Sequence, residues 1–184
     1  MNADKIVLID ADVISHFIAA GELLMLASIL SPCKILIPDL VYVEVSRIKS
    51  RKPVLDNVIN LVKSISVFPF PQDEEVLKEF ALIKKLNPLI GDGERACMAI
   101  AKINKDVIAS SNFRDIAAYC RTNSIPFLGT LDILYIALKR NIFDEMRCDD
   151  FIEITKQQNK AKYPNGITRI SDYSPSAVVG DFLG

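Results

Sequence analysis

Histidine is nearly missing from this chain of 184 residues: His16 stands alone. Zinc sites built on several imidazoles are therefore excluded, and a Ser-His-Asp or Cys-His triad would have to use that one residue. No GxSxG nucleophile elbow accompanies it, and no GxGxxG follows the first strand-like run. The four cysteines, Cys33, Cys97, Cys120 and Cys148, contain no CxxC pair. They suit reduced thiols in a cytosolic protein rather than a disulfide framework. Seven glycines and nine prolines are too few for a collagen-like or low-complexity chain. An excess of one charge is also lacking, with 22 Lys and Arg against 23 Asp and Glu. Any nucleic-acid contact must come from a local patch. Hydrolytic chemistry, if there is any, falls to carboxylates.

Half of the residues are hydrophobic, enough for a substantial core, and the length suits one domain. Val13 to Leu30 is nearly all apolar and long enough to raise the question of a membrane span. Glu22 and His16 interrupt it, and a mid-span carboxylate costs roughly 3 kcal/mol on insertion scales. Two short buried helices meeting at Gly21 are expected instead. Met1 to Lys5 has no basic leader and no cleavage site follows. The chain reads as soluble and cytoplasmic, with no membrane partner.

Short continuous apolar runs alternate with helical patterns along the chain. Strands are expected at Lys5 to Asp10, Lys34 to Ile37, Ile65 to Phe68, Asp106 to Ala109 and Pro126 to Leu128. Helices follow each, opened by Pro38-Asp39, Pro53, Asp73, Gly91-Asp92-Gly93-Glu94 and Gly129-Thr130, with a last one over Cys148 to Gln158. This alternation predicts a mostly parallel sheet of about five strands with helices on both faces, a three-layer α/β/α sandwich. Residues 1–160 are taken as the domain, and 161–184 as a C-terminal tail that is loosely held. In such sheets the functional crevice lies beyond the carboxyl ends of the strands.

Four acids stand out by that criterion. Asp10 closes the first strand, Glu44 sits mid-helix after the second, Glu94 lies in the first turn after Gly91-Asp92-Gly93, and Asp115 follows the fourth strand. Dispersed carboxylates that converge in space suit Mg²⁺ or Mn²⁺, which take oxygen ligands and keep waters. Each acid also has a plain reading. Asp10 caps the next helix, Glu44 and Asp115 are solvated helix residues, and Asp92 and Glu94 favour a positive helix N-terminus. Only the joint pattern distinguishes the two.

The ordered segments Ile-Asp-Ala-Asp-Val-Ile (9–14), Tyr-Val-Glu-Val (42–45), Gly-Asp-Gly-Glu-Arg-Ala-Cys-Met-Ala-Ile-Ala (91–101) and Ser-Ser-Asn-Phe-Arg-Asp-Ile (110–116) resemble those of a PIN domain. The likeness runs from about Ile6 to Phe143, and Gly129-Thr130-Leu131-Asp132-Ile133-Leu134 resembles a segment found late in many PIN proteins. The resemblance implies a metal-dependent endoribonuclease, commonly the toxin of a VapC-type toxin–antitoxin pair. Asp10, Glu44, Glu94 and Asp115 match the family's catalytic, metal-holding acids, and Asn112 matches a nearby polar position. Asp12 stands where many members carry Asn, Ser or Thr, and Asp92 either replaces or assists Glu94. The implied reaction is in-line attack of metal-activated water on RNA, leaving 5′-phosphate and 3′-hydroxyl ends. RNA, an antitoxin protein and a second copy of the chain are the implied partners.

RNA contact is expected from the basic run Ser46 to Lys52, and from Arg95 and Arg114 beside two of the acids. The run equally reads as a solvated helix end. The opening KIVLIDADV also fits a haloacid-dehalogenase-like phosphatase, with Asp10 as nucleophile and Asp12 as general acid. That family's later motifs occur here in reversed order, and Glu44 would have no role. A catalytically inactive PIN-like binding module is the non-enzymatic alternative. His16, Cys97 and Met98 are expected to be packing residues.

Overall fold

The computed structural model describes residues 5–183; the side chains of residues 113–115 lie outside that description. Five short strands form the centre: β1 (Ile6–Ile9), β2 (Lys34–Pro38), β3 (Ser66–Phe68), β4 (Val107–Ala109) and β5 (Phe127–Leu128). They make one sheet in the order β3-β2-β1-β4-β5, every pair parallel. Val7 pairs with Ile35 on one side and Val107 on the other, so β1 is central. Its Val7, Leu8 and Ile9 are fully buried, as continuous apolar strands covered on both faces require.

The helices are α1 (Ala11–Ala19), α2 (Leu26–Leu30), α3 (Asp39–Ser46), α4 (Lys52–Asn57), α5 (Glu74–Leu86), α6 (Asp92–Asn104), α7 (Phe113–Thr122), α8 (Thr130–Lys139), α9 (Glu145–Asn159) and α10 (Val178–Leu183). The Ala-rich α6 lies across β1, β2 and β4, with α3 and α5 against it. Ala96, Cys97, Ala99 and Ala101 are buried there because small side chains let the helix approach the sheet closely. A second group, α2, α8 and α10, packs together and covers β2 and β5. The architecture is the three-layer α/β/α sandwich that the alternation of strands and helices predicts.

The apolar stretch after β1 does break at Gly21, which takes φ +73°, a conformation that glycine adopts without a Cβ clash. A 3₁₀ turn over Leu23–Met25 then leads into α2. Among the described residues, no helix is long and apolar enough to cross a membrane. α9 begins three residues before the expected Cys148, because Asp144 caps it by accepting the Arg147 amide at 2.8 Å. All four cysteines are buried, and none forms a disulfide.

The segment after α9 packs on the domain through Ile170, Val179 and Phe182, all buried. The buried Asp132 of α8 accepts the Tyr173 hydroxyl and the Ser176 amide, each at 2.9 Å, and its other oxygen accepts the Gly129 amide. Arg140 donates to the carbonyls of Ile29, Ser31 and Phe182.

Candidate metal centre

The chain winds outward from β1 to β2 and β3, then returns to the opposite side of β1 for β4 and β5. This reversal opens a crevice beyond the carboxyl ends of β1 and β4. Asp10 sits at its floor, only 4% exposed. Its amide donates to the Ala109 carbonyl at 2.9 Å, continuing the β1–β4 ladder by one residue. Its Oδ1 accepts the Ala11 amide at 2.7 Å and so caps α1, while Oδ2 accepts the Ser110 hydroxyl at 3.0 Å. The capping role that the sequence suggests is therefore real, but it leaves the carboxylate buried beside other acids. Burial first, then the Asp12 charge and to a lesser degree Glu44, push the Asp10 pKa up from 3.8 to about 7, against those two hydrogen bonds.

Glu44 of α3 lies against the start of α6, the helix whose first turn carries Glu94. Gly91 caps this helix in extended conformation, and the turn Asp92-Gly93-Glu94 passes directly beneath α3. A Cβ on Gly93 would lie 2.8 Å from Glu44 Oε2 and 3.1 Å from Val41 Cγ2. The missing side chain is what lets the Glu44 carboxylate rest there. Glu44 as a residue is exposed; desolvation of its carboxylate, followed by the Asp12 charge, raises its pKa. Glu94, one residue on, is buried, and its Oε2 accepts the Asn112 amide group at 3.2 Å. The Asn112 backbone amide in turn donates to Ser110 Oγ at 3.2 Å, so Asp10, Ser110, Asn112 and Glu94 form one connected chain. Cys97, one turn along α6, reports the same convergence. After burial, the charges of Asp10, Glu94 and Glu44 all hold its thiol well above the usual range.

The remaining candidates divide. Asp12 is exposed in the first turn of α1, where its charge reaches Asp10, Glu44 and His16. Asp92 is exposed and its Oδ1 is taken by Arg95. Arg95 itself corrects the sequence-based expectation that it reaches phosphates. It is 2% exposed, donates to the Ile90 carbonyl at 2.6 Å, and lies over the Phe80 ring. Within the basic run, Arg51 is held by Ser15 at 2.7 Å and Asn159 at 3.1 Å, and Lys52 by Asp56 at 2.5 Å. Arg114 and Asp115 fall in the first turn of α7, and their side chains lie outside the described residues.

Beside the crevice the lone histidine is buried, as expected, and its Nδ1 meets Thr130 Oγ1 at 3.0 Å. Burial lowers its pKa, which favours the neutral ring. Ser111 Oγ lies 2.5 Å from the same threonine oxygen. A groove of about 500 Å³ opens here, running from Asp12 and Asn112 to Lys160 and Lys162 just beyond α9. Sequence reasoning singled out neither lysine nor Ser111. The only available signal was that Ser110-Ser111 directly follow β4 at a strand's carboxyl end.

Among the described residues, no group of three or more His, Cys, Asp or Glu side chains is placed to hold a metal ion. The acids line a crevice rather than surround a point. That geometry suits a hydrated hard cation, which keeps several waters and takes one or two carboxylates from the protein. Its described acids offer oxygen donors, which suit hard metals better than soft ones.

A parallel α/β/α sandwich with a carboxylate crevice at its switch point defines a class of acid-centred α/β proteins. A family model described as a PIN domain matches residues 6–158, and the chain belongs to that family. Among solved structures, the crystal structure of FitAcB from Neisseria gonorrhoeae is similar with a TM-score of 0.40 and 18% identity, covering 66% of this chain and 95% of that one. No curated protein sequence matches the chain.

Proposed function

We propose that this PIN domain is a metal-dependent endoribonuclease and that Asp10, Glu44, Glu94 and Asp115 are its catalytic acids, with Mg²⁺ or Mn²⁺ as cofactor. The observation that carries the reading is Asp10: a nearly fully buried carboxylate, held by two hydrogen bonds and flanked by further acids. Burying charge that way without a compensating cation is costly, and a bound cation would relieve that cost. Asp10 and Glu94 would hold the ion from the crevice floor and Glu44 from across it, with Asp12, Asp92 and Asn112 further out. A bound divalent cation supplies charge against the phosphate oxygens and acidifies water to a nucleophile. The protein's own part is orientation. Ser110 and the Ala11 amide fix the Asp10 oxygens, Asn112 fixes Glu94, and the Gly93 gap seats Glu44. Hydrolysis then leaves 5′-phosphate and 3′-hydroxyl ends.

Membership of the PIN family leaves the haloacid-dehalogenase alternative without support; the inactive binding module remains the contrary outcome of the test. Following the family, the chain acts in the cytoplasm as a toxin, with an antitoxin protein as its inhibitor and a second copy of the chain as its assembly partner. Purified protein with Mn²⁺ or Mg²⁺ should cut single-stranded RNA. EDTA should abolish cutting, and Asp10→Asn should lower it by at least about 10³-fold, which is roughly 4 kcal/mol of transition-state stabilisation. Folded protein that neither binds Mn²⁺ nor cuts RNA would make it the binding module. Growth arrest on induced expression, absent for Asp10→Asn, would test the toxin role.

A further inference from the structure

The groove beside the acids has two chemically opposite ends. Asp12 and Asn112 belong to the candidate metal centre, while Lys160 and Lys162 stand at the other end, on the segment that follows α9. That segment lies beyond residue 158, where the match to the PIN family model stops. We propose that residues 159–164 form the wall of a strand-binding subsite, in which Lys160 and Lys162 take backbone phosphates of the RNA next to the bond that is cut. The proposal rests on the nuclease reading and adds to it a place and a direction for the substrate strand.

Three observations support it. First, the lysines are available. Both are exposed, and among the described residues neither forms an ion pair. The neighbouring Lys156, by contrast, is spent on the Ile167 carbonyl at 2.6 Å. No acid follows Glu153 until Asp172, so this stretch is a local positive patch on a chain of net charge −1. Second, the wall is built rather than trailing. The Ala161 amide donates to the Thr155 carbonyl at 3.1 Å, the Tyr163 hydroxyl and Thr155 Oγ1 are 2.7 Å apart, and Arg51 ties Asn159 to Ser15 of α1. The Tyr163 ring leans on His16, 6.3 Å between centroids, so the lysines are presented from a fixed edge. Third, the size fits. About 500 Å³ falls within the roughly 300–1,000 Å³ of small-ligand sites, which leaves room for a nucleotide-sized unit between the acids and the lysines. Polar, mostly uncharged groups line the path between, as a strand bound by its phosphates rather than its base edges requires.

The test is fluorescence anisotropy with a labelled twelve-nucleotide oligouridylate in EDTA, using the full chain with Asp10→Asn to lower the negative charge of the crevice. Adding Lys160→Gln and Lys162→Gln should weaken binding about tenfold at low salt and reduce the slope of log affinity against log salt by about 1.4, two phosphate contacts at about 0.7 each. The matched pair Lys84→Gln and Lys85→Gln, on the exposed face of α5, should change neither. Equal loss in both pairs, an unchanged slope for the groove pair, or no binding before it is introduced would overturn the subsite. In the native background with Mn²⁺, the groove pair should raise KM for RNA cleavage while kcat is kept. The two readings fail separately. Cleavage with unaltered KM sinks the subsite alone, and groove-dependent binding without any metal-dependent cutting sinks the nuclease alone.

Discussion

Two buried acidic sites lie near opposite ends of α6, and they are built in opposite ways. Glu79 of α5 is 8% exposed and fully answered: Lys102 donates to Oε2 at 2.7 Å and the Tyr119 hydroxyl to Oε1 at 2.7 Å. Asp10 is buried as deeply, but its hydrogen-bond partners are a serine hydroxyl and a backbone amide, and its charged neighbours are other acids. The first cluster neutralises its charge within the fold and serves to join α5, α6 and α7. Among the described residues, the second gives Asp10 no cationic partner, and its nearest charges are acids.

Substitution should therefore act with opposite sign in the two places. With EDTA present, Asp10→Asn should stabilise the protein. Between pH 3.8 and about 7 the folded chain keeps a proton on Asp10 that the unfolded chain has released, so native stability falls as pH rises through that window. The amide variant escapes this fall. Its advantage should be absent near pH 3.8 and complete above pH 7, up to about 4 kcal/mol at about 1.4 kcal/mol per pH unit. In a chain of this size each kcal/mol moves Tm by about 2–4 °C, so calorimetry at pH 5 and pH 8 checks both size and sign. Glu79→Gln should do the reverse and cost about 1–2 kcal/mol, since it weakens two bonds to a buried acceptor. Destabilisation by Asp10→Asn would remove the distinction between the clusters.

Proton and cation should also compete at Asp10. Mn²⁺ affinity, measured by titration calorimetry, should rise about tenfold from pH 6 to pH 8 and level off above, because the proton held with a pKa of about 7 must leave first. The same series on Glu79→Gln should keep that profile, whereas Asp10→Asn should flatten it. A flat profile in the native protein would place the cation elsewhere.

The sheet was legible because its central strands are short apolar runs, and Asp10 because it stands where the first of them ends. Asp10 could be placed from KIVLID alone, since burial of Val7 to Ile9 leaves the next residue at the mouth of the sheet. Glu44 and Glu94 needed their order among the motifs, because single carboxylates on helices look alike in sequence. What stayed hidden depends on side-chain direction. Arg95 lies beside Glu94 in sequence but turns inward to Ile90 and Phe80, and Lys160 and Lys162 lie far from the acids in sequence but close to the groove. Ser111 escapes notice for a related reason, since small polar residues after a strand are common in any loop.

Gly93 gives the finest test of how the crevice is shaped. In Gly93→Ala the new methyl would meet Glu44 Oε2 at 2.8 Å and Val41 Cγ2 at 3.1 Å. The first is the far end of a flexible side chain and swings away at little cost; the second has to give by a few tenths of an ångström. Alanine recovers roughly 0.5–1 kcal/mol of helix propensity over glycine, which offsets most of that strain. Stability should then stay within about 1 kcal/mol of the parent, while Mn²⁺ affinity falls about 3- to 5-fold because Glu44 has lost its seat. The same substitution at Gly180, where nothing lies within 4 Å of the added Cβ, should leave Mn²⁺ binding unchanged. If Gly93→Ala bound Mn²⁺ as tightly as the parent, Glu44 would not be a ligand, and the cation would rest on Asp10 and Glu94 without it.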